Sequence, residues 1–274
     1  MKFKNIIIII IINIVMNFFI NIRIALITIF IMFNLLQYHF FYQGISKPLF
    51  IGLTSINNFM LNTQIQVHGN TEVFKNPKLL IMMNHYEGIL DWHIINKLYY
   101  NTNTTTMLYT IVKSNIVGDP EDRSFMSKTM SYCKKAFINS SYFIPYTRGN
   151  KEDGVIVKDK IINSLNNDKN ILIFPEGTSR KNGIPIDFKH GIFQLAIEHK
   201  LDILPITIKF NKDIGIEKDE PLNFKVLFDN TADVYIHDII QSESEECYKN
   251  NNYIGLKDKT LKIICGPYSK TTAN

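Results

Sequence analysis

His85 and Asp91, with five residues between them, lie in the run Asn84-His85-Tyr86-Glu87-Gly88-Ile89-Leu90-Asp91-Trp92, directly after an apolar stretch at 78–83. A histidine near its neutral pKa can take the proton from an attacking hydroxyl. A carboxylate on its other ring nitrogen fixes the tautomer and stabilises the imidazolium. Glu87 is a second carboxylate close to the same histidine. The bland alternative is an aspartate capping a helix beside a surface histidine.

A second constellation is Ile171-Leu172-Ile173-Phe174-Pro175-Glu176-Gly177-Thr178-Ser179-Arg180, an apolar strand that breaks into a Pro-Glu-Gly-Thr turn and ends on a basic residue. Pro and Gly punctuate turns, and a guanidinium suits bidentate contact with phosphate. The competing reading is a β-turn with charges on a solvated rim. Between the two blocks lies Tyr142-Phe143-Ile144-Pro145-Tyr146-Thr147-Arg148, a strand-like run with an arginine just beyond it. A base is on offer without a paired Ser or Cys nucleophile, so no covalent enzyme intermediate is needed.

Groups at strand ends need a sheet to hold them. Apolar runs at 78–83, 105–112, 142–146, 170–174 and 202–208 read as strands, with two more at 223–228 and 234–240. Apolar residues recur at three- and four-residue spacing in 92–100, 124–137, 154–165 and 191–199, which predicts helices. The pattern is that of an α/β domain, a mixed sheet flanked by helices, over residues 44–240. Residues 241–274 are rich in Asn and Ser at their start and are expected to form a tail without fixed structure.

The first 43 residues differ in kind. From Phe3 to Gln43 the charged residues are Lys4 and Arg23, and Ile6 to Ile12 is unbroken isoleucine. Because about 20 apolar residues span a bilayer, residues 1–43 predict a hydrophobic membrane anchor of one or two helices. A signal peptide is the competing reading, but the apolar character continues past Arg23 without a small-residue cleavage site. In a chain of 274 residues with 46% hydrophobic content, one catalytic domain plus this appendage is the expected organisation. The net charge of +5 suits an anionic surface or substrate. The lysines are scattered without a basic cluster interleaved with aromatics, which argues against nucleic acid. Cys133, Cys247 and Cys265 are too few and too dispersed for a disulfide framework or a zinc site.

The three blocks, in this order, resemble the glycerolipid acyltransferase family, which includes lysophosphatidic acid, lysocardiolipin and other lysophospholipid acyltransferases. The resemblance covers about residues 65–210, and Phe174-Pro175-Glu176-Gly177-Thr178 is its most specific element. Lys113-Ser114-Asn115-Ile116-Val117-Gly118-Asp119-Pro120, Lys189-His190-Gly191 and Ile203-Leu204-Pro205-Ile206 add weaker likeness. The resemblance implies His85 as general base and Asp91 as its orienting partner. It implies that Lys113 and Arg148 hold an acceptor phosphate and that Glu176, Gly177, Thr178 and Arg180 shape the acceptor pocket. No metal and no cofactor is implied; acyl-CoA is the co-substrate, and the partners are membrane lipids, at the endoplasmic reticulum or another endomembrane. The expected reaction is acyl transfer from acyl-CoA to a hydroxyl of lysophosphatidic acid or a lysophospholipid. A CoA-independent phospholipid transacylase and a catalytically silent lipid-binding relative are the alternatives. The family places four residues between its His and Asp where this chain has five. One residue turns a helix by about 100°, so the pair requires an irregular backbone, which Gly88 can supply.

Overall fold

The computed structural model describes residues 64–86, 91, 94, 95, 97–99, 102, 106, 108–113, 143–147, 149, 151–178, 182–211 and 231–269. The expected anchor at 1–43, the helix at 124–137 and the strand at 223–228 lie outside them. Among the described residues, no helix is long and apolar enough to cross a membrane.

Among the described residues, seven strands form one mixed sheet: β1 (Gln64–His68), β2 (Leu80–Met83), β3 (Leu108–Lys113), β4 (Phe143–Tyr146), β5 (Asn170–Ile173), β6 (Ile203–Phe210) and β7 (Thr231–Ile236). Their order is β1-β7-β6-β2-β5-β3-β4. Every neighbouring pair is parallel except β6 and β7. The helices described over their full length include α1 (Lys151–Asn166), α2 (His190–His199), α3 (Glu246–Lys249) and α4 (Tyr253–Ser269). This is the α/β architecture of a mixed sheet flanked by helices.

The strand sequences follow from burial. β2 and β5 are buried at every residue, and a strand covered on both faces reads as a continuous apolar run. β7 instead alternates half-buried and buried residues, the period-two signature of a strand with one covered face. Its span begins earlier than the apolar run at 234–240 suggested, because Thr231 to Asp233 extend the alternation, and Ile240 survives only as an isolated bridge to Ile203. Pro145 is tolerated because β4 closes the sheet at one edge. Pro205 sits inside β6, yet the pairing with β7 begins at Ile206. Its missing N–H therefore falls just short of that ladder, and its carbonyl accepts the His237 N–H at 3.1 Å.

Leu80, Met82, Ile171 and Ile173 turn towards a core that contains Ile161 and Leu165 of α1, Phe193 and Ala196 of α2, and Leu256 and Ile264 of α4. Each Leu, Ile, Met or Phe side chain among them, removed from water, stabilises the fold by about 1.5–3 kcal/mol. Asn170 sets the level at which two central strands start. Its Oδ1 accepts the Leu79 N–H at 2.8 Å, and its Nδ2 donates to Asn76 O and Tyr99 Oη at 3.0 and 2.7 Å.

The expectation for 241–274 is corrected by the structure: the domain does not end at 240. Asn252 Oδ1 accepts the Gly255 N–H at 2.9 Å and caps α4, whose Leu256, Thr260, Ile264 and Pro267 are buried. That spacing places one helical face on the core. The polar approach to the helix, together with Gly255, Gly266 and Pro267 inside it, masked the periodicity.

Candidate active site

The sheet brings the two main blocks to the same edge. β2 and β5 are parallel with Met82 beside Ile173, so His85 and Glu176 each stand three residues beyond paired positions. The His85 N–H donates to Glu176 Oε1 at 2.9 Å. Phe174, Pro175, Glu176 and Gly177 form a turn closed by the Gly177 N–H to the Phe174 carbonyl at 3.0 Å. Proline at its second position and glycine at its fourth suit such a turn. Gly177 adopts φ +68°, a conformation that costs glycine little. The Pro175 carbonyl accepts the Lys189 N–H at 2.9 Å, which ties the turn to the start of α2.

His85 Nδ1 lies 2.6 Å from Asp91 Oδ2. The same oxygen accepts the Tyr86 N–H at 3.1 Å. An ionised carboxylate only accepts, so Nδ1 carries the ring proton and Nε2 is left with its lone pair. Asp91 is fully buried, whereas one fifth of the His85 side chain is open. The imidazole stacks on Phe174 with ring centroids 4.2 Å apart and planes at 28°. One nitrogen is thus anchored on a buried carboxylate, the ring plane is fixed, and the other nitrogen can accept a proton.

The expected site residues fare differently. His85, Asp91 and Glu176 are brought together. Gly177 forms the turn, and Thr178 is exposed beside it. Lys113 ends β3, paired with Tyr146 of β4, at the same edge of the parallel strands as His85. Arg148, Arg180 and the alternative partner Glu87 lie outside the described residues. Among the described residues, no group of three or more His, Cys, Asp or Glu side chains is placed to hold a metal ion.

Sequence reasoning missed the support on either side of His85. Asn84, fully buried, accepts the Ile208 N–H on Oδ1 at 2.7 Å and donates through Nδ2 to the carbonyls of Gly183 and Ile208 at 2.9 and 2.8 Å. Gly183 has φ +63°, and a Cβ there would stand 1.9 Å from the Tyr86 ring. No local pattern announces these contacts, since their partners are about a hundred residues away in sequence.

This constellation, a histidine held on a buried carboxylate at the carboxyl edge of the parallel strands, is an arrangement that can take up a proton. A sequence model of the acyltransferase family matches residues 64–209, more than half of the chain. The chain belongs to the acyltransferase family, among the glycerolipid acyltransferases. The 1-acyl-sn-glycerol-3-phosphate acyltransferase of Borreliella burgdorferi is 22% identical over 214 residues, 76% of this chain and 75% of that protein. Human 1-acyl-sn-glycerol-3-phosphate acyltransferase alpha is 32% identical over 68 residues; the match spans 24% of the length of each chain. The crystal structure of the 1-acyl-sn-glycerophosphate (LPA) acyltransferase PlsC from Thermotoga maritima superimposes with a TM-score of 0.55 at 17% identity, covering 88% of this chain and 95% of that one. That likeness is one of fold. Helix α4 lies outside the family match.

Proposed function

We propose that this chain transfers an acyl group from acyl-CoA to a hydroxyl of lysophosphatidic acid or a related lysophospholipid, with His85 as general base. The observation that carries this reading is the 2.6 Å contact between His85 Nδ1 and Asp91 Oδ2, which leaves Nε2 as proton acceptor. In the reaction, the acceptor hydroxyl gives its proton to Nε2 while its oxygen attacks the thioester carbonyl. The tetrahedral intermediate collapses, the C–S bond breaks, and the thiolate leaves as the thiol with the proton held by the imidazolium. Asp91 stabilises that imidazolium. Lys113 and Arg148 hold the acceptor phosphate, Thr178 and Arg180 border the acceptor pocket, and residues 1–43 anchor the chain in an endomembrane. The acceptor class is supported by the names of the bacterial and mammalian relatives.

The test is label transfer by the full chain in detergent micelles, from radiolabelled acyl-CoA to 1-acylglycerol 3-phosphate and a panel of lysophospholipids. Product is expected with at least one acceptor and is expected to vanish in His85→Ala. Label moving only from a phospholipid donor would replace acyl-CoA by a transacylase reaction. Acceptor binding without transfer from either donor would overturn the enzymatic reading.

A further inference from the structure

The residues on both sides of His85 end on one hydroxyl. Asn84 Nδ2 lies 3.0 Å and Tyr86 Oη 2.8 Å from Tyr268 Oη, which arrives from the last turn of α4, more than 180 residues further along the chain. The Tyr268 hydroxyl also reaches the Ile208 carbonyl at 2.7 Å, the same carbonyl that accepts from Asn84. A phenol has one proton and two lone pairs. The shortest carbonyl contact takes the proton, so Tyr268 accepts from Tyr86 and shares with the Ile208 carbonyl one of the two Asn84 Nδ2 protons, the other going to the Gly183 carbonyl. Burial, with Tyr86 and Glu176 close by, pushes the phenol far above its usual range, so the hydroxyl stays protonated and keeps its donor role.

Helix α4 is itself held against the segment that follows the Pro-Glu-Gly-Thr turn. Lys257 Nζ donates to Asp187 at 2.8 Å, the ring of Tyr253 meets His190 edge-on at 6.1 Å, and Thr207 Oγ1 donates to the Ile264 carbonyl at 2.8 Å. The helix cannot shift Tyr268 without moving those partners too. Its hydroxyl is thereby a fixed point shared by Asn84 and Tyr86, and His85 is the residue between them.

We infer that Tyr268 is a positioning residue for the reaction, holding the His85 backbone through Asn84 and Tyr86, and that α4 is part of the catalytic unit. This rests on the proposed role of His85 as base. Tyr268→Phe removes the oxygen and keeps the ring. Its kcat is expected to fall about tenfold or more, within the range that a displacement of about 1 Å can cost, while both KM values stay within about twofold. The downfield Nδ1–H resonance of a histidine bonded to a buried carboxylate, assigned by its loss in His85→Ala, is expected to broaden or move. Ile254→Ser, on the exposed side of α4, is the control that changes neither. If Tyr268→Phe fails to fold, Tyr86→Phe, which cuts the bond from the other partner, takes its place. Unaltered kcat and resonance in the folded variant overturn the inference, as does a change confined to KM. A wild-type chain that shows the resonance but transfers no acyl group to any acceptor would sink the proposed function instead, and the resonance alone would then decide the place of Tyr268.

Discussion

The Glu176 carboxylate accepts the backbone N–H of His85 at 2.9 Å, across 91 residues of sequence and from the neighbouring parallel strand. Glu176 is buried, so the most family-specific block directs its carboxylate inward to the His85 peptide N–H. A carboxylate turned towards a phosphate would repel it; turned towards an N–H, it fixes the peptide that carries the imidazole.

Glu176→Ala is therefore expected to lower kcat by about tenfold or more with the acceptor KM little changed, because a displaced base costs the transition state chiefly. Glu176→Gln retains an accepting oxygen and should lose much less. Steady-state kinetics on both variants decide the matter. A rise in acceptor KM without a fall in kcat would return Glu176 to the acceptor pocket that the family resemblance implies.

Asp91→Asn keeps the size of the side chain but can donate to Nδ1, which favours the wrong tautomer. Turnover should fall by roughly 10²-fold or more. The same oxygen contacts His85 Nδ1 and the Tyr86 N–H, so an amide nitrogen turned there gives up the Tyr86 bond, while an amide oxygen there keeps both bonds and loses only the charge that stabilises the imidazolium. A circular dichroism melt close to wild type combined with near-normal turnover would remove Asp91 from the mechanism.

Asn170→Ala tests what levels the strands. It strands the Leu79 N–H and the buried Tyr99 hydroxyl, each at about 1–3 kcal/mol. The expected loss is about 2–6 kcal/mol, read from chemical denaturation. A loss below about 1 kcal/mol would show that water takes over these bonds.

His237 gives the fold a pH dependence. Thr207 Oγ1 spends its proton on Ile264 O, so His237 Nε2, at 2.9 Å, donates to it, which either charge state of the ring can do. Burial holds the ring below its usual value of 6.5, opposed by Asp238. A depressed folded pKa means that the unfolded chain takes up the proton first. The stabilisation is complete above about 6.5 and drains away as pH falls through the folded value. His237→Gln, which can still donate to Thr207, should flatten the decline of Tm below pH 6.5. An equally steep decline in that variant would assign the effect to other groups.

From residues alone, the strands at 78–83 and 170–174, the helix at 191–199 and the turn at Pro175-Glu176-Gly177 were legible, because burial period and turn chemistry are properties of short segments. The order of the His85, Arg148 and Glu176 blocks carried the family for the same reason. Helix α4 was not legible: its start is polar, and Gly255, Gly266 and Pro267 dilute a face that is recognisable only against β6 and α2.

What tertiary structure decided is which distant groups meet. Parallel pairing of β2 with β5 set Glu176 beside the His85 peptide, the fold placed Asp91 on Nδ1 despite the additional intervening residue, and packing of α4 delivered Tyr268 between Asn84 and Tyr86. Local sequence records what each segment can bury and where it can turn. Contacts over 90 to 180 residues depend on strand order and register, which the whole core selects by burying its apolar faces together while satisfying the polar groups among them.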